Sequence, residues 1–93
     1  MTAVNAIGNS MEPSIKDGDL LYFKPVIDVS HVLVDDVVLC KHPYIKNLKM
    51  IKRVKKIIDG CFFVQGDNVK NFESSDSRSF GLLPPSKIIG KLS

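Results

Sequence analysis

A chain of 93 residues has room for one domain, residues 1–93, with a real but thin hydrophobic core. Its composition is 44% hydrophobic and 25% charged, with five prolines and six glycines spread along it, which excludes a disordered, collagen-like or repeat chain. The 13 basic and 10 acidic side chains leave a net charge of +3, too mild an excess to argue for an anionic partner.

Residues 1–9 lack both the basic flank and the long apolar stretch of a signal peptide. No run elsewhere reaches the ~18 apolar residues of a membrane span, so a soluble, cytoplasmic protein without a transmembrane anchor is expected. Ser10 stands just before residues 11–15, a candidate helical turn. Lys16-Asp17-Gly18-Asp19 is a turn signal, and residues 20–23 after it read as a strand. Asp35-Asp36 introduces a second strand, Val37–Lys41, stopped at Pro43. The β-branched residues of Lys49–Ile58 predict a long strand, and the Asp59-Gly60 turn joins it in a hairpin to Cys61–Gln65. Residues 66–79 read as polar and irregular. Residues 84–87 suit a second helical turn, and Ile88–Leu92 makes a last short strand. Short strands at close spacing with almost no helix predict a compact, mainly β fold. Cys40 and Cys61 lie beside apolar runs and form no CxxC pair, so both read first as small buried hydrophobes.

Side chains alternate faces along a strand, which puts Met50, Lys52 and Val54 on one face and Ile51, Arg53, Lys55 and Ile57 on the other. Lys52 thus lies between two apolar neighbours. Burial disfavours an ammonium and can turn a lysine into a base near neutral pH, although a lysine on a mixed strand also snorkels to solvent. Ser10 has two readings as well. A serine after Gly8-Asn9 and before a Pro-containing turn serves as an N-cap, or presents its hydroxyl where free backbone N–H groups face a developing oxyanion.

Three segments stand out: Gly8-Asn9-Ser10-Met11-Glu12-Pro13-Ser14 with Gly18-Asp19; Met50-Ile51-Lys52-Arg53-Val54; and Gly66-Asp67-Asn68 with Ser74-Ser75-Asp76-Ser77-Arg78-Ser79-Phe80-Gly81. Their order and content resemble the type I signal peptidase superfamily over nearly the whole chain. That family has a Ser-Met-x-Pro box, a Lys-Arg box and a Gly-Asp-Asn…Ser-x-Asp-Ser-Arg-x-aromatic-Gly box. The resemblance implies a β-rich, LexA-like catalytic core and a serine endopeptidase that needs no cofactor and no metal. Carried over, Ser10 matches the nucleophile, Lys52 the general base and Ser74 the serine that orients the lysine amine. Asp76 and Arg78 match a structural pair bracing the third box. A serine hydroxyl needs a positioned base, and Ser-Lys is a known variant of the triad logic.

Two positions depart from the family pattern. Gly8 stands where some bacterial signal peptidases carry a serine that completes the oxyanion hole, which leaves the backbone N–H of Ser10 as the donor in the Gly8–Ser10 region. Two extra residues between Asn68 and Asp76 make Ser75 and Ser77 rivals of Ser74. Some eukaryotic relatives use a histidine base, but at the position of Lys52. His42 and His31 therefore read as loop residues, His42 as structural or touching substrate.

Within that superfamily the chain resembles the soluble maturation proteases of nickel-type superoxide dismutase. The features are its short form without an anchor or upstream arm, His42-Pro43-Tyr44 before the Lys52 box, and the closing segment with Ile89-Gly90-Lys91. The resemblance implies a protein substrate, the leader of a nickel superoxide dismutase precursor. The alternatives are a signal-peptidase-like protease for other precursors and a non-catalytic nucleic-acid module using Lys52, Arg53, Lys55 and Lys56. Alternation scatters those four charges over two faces, so no nucleic acid is expected.

Overall fold

The computed structural model describes residues 1–70 and 75–93. Six strands form one antiparallel sheet: β1 Thr2–Asn5, β2 Leu20–Pro25, β3 Val37–Lys41, β4 Lys49–Ile58, β5 Cys61–Gln65 and β6 Ile88–Leu92, in the order β1-β2-β6-β3-β4-β5. The mainly β expectation holds. β3 to β6 keep the bounds expected of them, and β2 runs two residues further, to Pro25. β1 was not expected, because Thr2-Ala3-Val4-Asn5 is too short and mixed to show a period. It exists through pairing, Thr2 opposite Phe23 and Asn5 opposite Leu20.

β3 lies between β6 and β4, and four of its five residues are buried. Val38 and Cys40 pack into one apolar cluster with Met50, Val54, Phe62, Val64, Leu83 and Ile88. Val37 and Leu39 pack into another with Ala6, Met11, Ile15 and Phe23. The sheet thus separates two thin cores, and each strand divides its side chains between them. The β4–β5 hairpin turns at Asp59 (φ 50°) and Gly60 (φ 77°), the left-handed pair that a two-residue turn of this hand requires.

The alternation in β4 holds as far as Val54: Met50, Lys52 and Val54 are buried, Ile51 and Arg53 less so. Val54 faces Val64 and Lys56 faces Phe63, so Lys55 is an extra, bulged residue. Ile57 then lies opposite Phe62 and shares the face of Val54, a correction to the unbroken alternation that grouped it with Arg53.

Residues 11–15 form a turn rather than a helix, although the Ile15 N–H donates to the Met11 carbonyl at 2.9 Å. Residues 85–87 form the expected turn as a 3₁₀ helix. The stretch read as irregular contains one short helix, α1 Ser77–Phe80, capped by the Asp76 carboxylate. Its closure onto Asp76 is side-chain chemistry that no periodicity reveals. Neither cysteine is in a disulfide, and no described helix is long and apolar enough to cross a membrane.

Candidate active site

The N-terminal segment is pinned from both sides. Ala6 and Gly18 are joined through Ala6 N–H to the Asp19 carbonyl and Gly18 N–H to the Ala6 carbonyl, each at 2.8 Å. The Gly8 N–H donates to the Asp17 carboxylate at 2.8 Å. Gly8 has φ 85°, a backbone conformation that disfavours other residues. After it, Met11 and Ile15 sink into the second core and leave Ser10 half-buried at the lip. Among the described residues no hydrogen bond engages the Ser10 N–H, whereas that of Gly8 is spent on Asp17.

Lys52 lies opposite Val38 and is only 4% exposed. Burial holds its amine below the ordinary lysine value of 10.5; Asp76 and Cys40 oppose that shift and Arg78 adds to it. Cys40, on the same face, is a packing group whose thiol burial pushes up to about 12, with Lys52 pulling it down less strongly.

Ser10 and Lys52 line one cleft of about 380 Å³. Residues 4–8 with Met11 and Ile15 form part of its wall, and Leu39 with residues 49–52 form the rest. Among the described residues no hydrogen bond joins the two side chains. Most of the lining is apolar, and the polar side chains on it are those of Asn5, Ser10, Lys49 and Lys52.

The third segment buttresses this cleft from behind. A Cβ at Gly66 would lie 2.5 Å from the Ser10 carbonyl oxygen, so only glycine fits there. That oxygen accepts from the Asn68 N–H at 2.9 Å, and the Asn68 side-chain amide donates to the Asn9 carbonyl at 3.0 Å. Asp67 is gripped by Arg53 through Nε at 2.9 Å and a terminal nitrogen at 2.8 Å, and Arg53 also donates to the Asp35 carbonyl at 2.8 Å. The hydrogen bond from Arg53 holds the Asp67 carboxyl below its ordinary value against the upward pull of burial. Lys52 and Arg53 thus lie on opposite faces of β4, the first lining the cleft and the second bound to the loop that fixes Ser10.

Asp76 is fully buried and accepts from the N–H of Gly66 (3.2 Å), the N–H of Arg78 (3.0 Å) and the Arg78 guanidinium (2.8–3.2 Å). Burial pushes its carboxyl up, but these donors together hold it below the ordinary value. Ser77 Oγ accepts from the Val64 N–H at 2.8 Å, fastening α1 to β5. Asp76 and Arg78 are thus joined to each other, and both act electrostatically on Lys52. Ser74 lies outside the described residues.

His42 is a loop residue, as expected, but a buried one at 8% exposure. Its Nδ1 accepts from the N–H groups of Tyr44 and Ile45, both at 3.0 Å. The ring proton is therefore on Nε2, which donates to Ser75 Oγ at 3.1 Å. With its acceptor spent and the ring packed edge-on to Phe80 at 5.0 Å, His42 has a structural place outside the cleft lining. His31 is exposed, at the end of the 3₁₀ turn Val29–His31. The sequence assigns Arg53, Asp67 and Asn68 no role in the protease site. The signal available was their opposite charge and amide chemistry in two adjoining boxes; their partners are 14 residues or more away.

A family model described as signal peptidase, peptidase S26, matches residues 55–93. The matched part, less than half of the chain, is similar to that family. It covers the third segment and the closing strand but neither Ser10 nor Lys52. Comparison with curated proteins finds no match.

Proposed function

We propose that this chain is a serine endopeptidase with a Ser10–Lys52 dyad that removes the leader from a nickel superoxide dismutase precursor. The observation that carries the dyad is the shared cleft: a half-buried serine and a desolvated lysine line the same apolar site. A neutral amine can accept a proton, and burial is what lowers the pH at which Lys52 becomes neutral.

The reaction then balances as acyl transfer. As Ser10 Oγ adds to the scissile carbonyl carbon, Lys52 Nζ takes its proton, and the oxyanion faces the unengaged Ser10 N–H. The ammonium gives its proton to the leaving nitrogen as the C–N bond breaks, leaving an ester on Ser10. Water, deprotonated by Lys52, hydrolyses that ester and restores both side chains. The gap between Ser10 and Lys52 closes when substrate is bound, as apo catalytic contacts commonly do. Ser74 orients the amine; Ser75 and Ser77 have their hydroxyls engaged by His42 and the Val64 N–H. Asp76 and Arg78 hold that box in place.

An extended peptide suits the site. β5 pairs with β4 only from Arg53 onward, so residues 49–52 keep one main-chain edge clear of β5 beside the cleft. The substrate is read from the resemblance in the His42-Pro43-Tyr44 and closing segments. Leader removal exposes an α-amine that, with histidine and cysteine, suits divalent nickel in the product.

Co-expression with a nickel superoxide dismutase precursor, followed by mass spectrometry of its N-terminus, tests both parts. Wild type should trim the precursor at one bond and Ser10→Ala should leave it intact. Equal cutting by Ser10→Ala would end the mechanism. Trimming of other precursors but not this one would leave the mechanism and replace the substrate.

A further inference from the structure

A second concavity, of about 630 Å³, lies beside the cleft and has the opposite character. Lys41, Lys46, Lys49 and Lys87 line it, with Tyr44 at its rim, and no aspartate or glutamate is among its lining residues. Lys41 and Lys49 face each other directly across β3 and β4. Like charges in that position destabilise a sheet, so the fold itself gains nothing from the pair. Among the described residues none of the four lysines is ion-paired, although Lys91 pairs with Asp36, Arg53 with Asp67 and Arg78 with Asp76. Lys49 lines both the concavity and the cleft, so the two adjoin at that residue.

We infer that this lysine-lined concavity is a docking site for an acidic segment of the polypeptide substrate whose scissile bond lies in the cleft. The inference rests on the protease reading for the placement of the substrate, not for the charge of the surface. An acidic peptide is favoured over nucleic acid because the concavity adjoins a cleft edged by open strand. A chain laid there in extended form would present alternate side chains toward the opposed lysines. Clustered charge of one sign concentrates an oppositely charged partner and speeds its capture. The concavity would therefore act mainly on encounter and KM.

Fluorescence anisotropy with labelled hexaglutamate, hexaglutamine and a DNA hexanucleotide tests the surface without any cleavage. Hexaglutamate should bind, hexaglutamine should not, and binding should weaken about tenfold between ~50 and ~300 mM salt as exposed charges are screened. The triple variant Lys41→Gln, Lys46→Gln, Lys87→Gln, which keeps Lys49 and the cleft, should lose that binding while melting at the wild-type temperature or above. Hexaglutamate binding unchanged in the triple variant, or DNA bound more tightly than hexaglutamate, would overturn the inference. On the precursor, the same variant should raise KM several-fold with kcat unchanged. If wild type cuts no precursor yet binds hexaglutamate through these lysines, the protease reading fails and the acidic-peptide surface stands.

Discussion

Lys52 sits 4% exposed between Met50 and Val54, where an ammonium is poorly solvated, and this sets stability against chemistry at a single residue. Its folded-state pKa is lowered, so between that value and 10.5 the unfolded chain binds the extra proton. Stability from this group therefore rises with pH across that window, and the penalty is fully present below it. Lys52→Met should abolish cleavage while raising the melting temperature at neutral pH, by about 4–8 °C if the relief is near 1 kcal/mol. In wild type, kcat/KM should climb with pH on a limb whose midpoint lies below 10.5, and a midpoint at the ordinary lysine value would count against Lys52 as the base. Gly66 is the other decisive single residue. Gly66→Ala would drive a methyl group against the Ser10 carbonyl and break the 2.9 Å bond from Asn68. It should cost about 1–3 kcal/mol by denaturant melting and most of the cleavage rate, since Ser10 must shift.

At the scale of elements, β4 carries two adjacent residues with different tasks: Lys52 lines the cleft, and Arg53 holds Asp67 on the other face. The Arg53–Asp67 pair is part-buried and bidentate, which favours it over an exposed ion pair. Asp67→Asn should lower stability by about 1–2 kcal/mol and slow cleavage more than a surface change of equal cost. A double-mutant cycle with Arg53→Met should show coupling between the two, and strict additivity would mean that the pair does not position Ser10. The bulge at Lys55 belongs to the same scale. It resets the alternation just beyond the site, so Met50, Lys52 and Val54 can face one core while Ile57 is brought back to that side. From the sequence alone, β3 to β6 were legible because their runs are apolar or β-branched and end in turn signals. β1 and α1 were not, because one depends on its partner strand and the other on the Asp76 cap.

At the scale of the whole molecule, two buried or part-buried carboxylates fasten the third segment to the rest. The folded-state pKa values of Asp67 and Asp76 are both lowered from 3.8. Their stabilisation is thus present above pH 3.8 and lost as pH falls through the folded-state values. Acid unfolding followed by near-ultraviolet circular dichroism should show a transition below pH 3.8, and Asp76→Asn should flatten it while lowering stability at neutral pH. The two thin cores on either side of one sheet leave little reserve for such losses. By itself, the sequence determined the mainly β fold, the shared face of Met50, Lys52 and Val54, and the three segments that resemble the signal peptidase superfamily. Those are properties of local pattern, and a strand's period of two and a turn's residue types are written in consecutive positions. Only the tertiary structure decided that Ser10 and Lys52 share a cleft, that Gly66 and Asn68 close on the Ser10 carbonyl, and that Arg53 reaches Asp67. Those contacts join residues far apart in the chain, and a sequence records each partner without recording the approach.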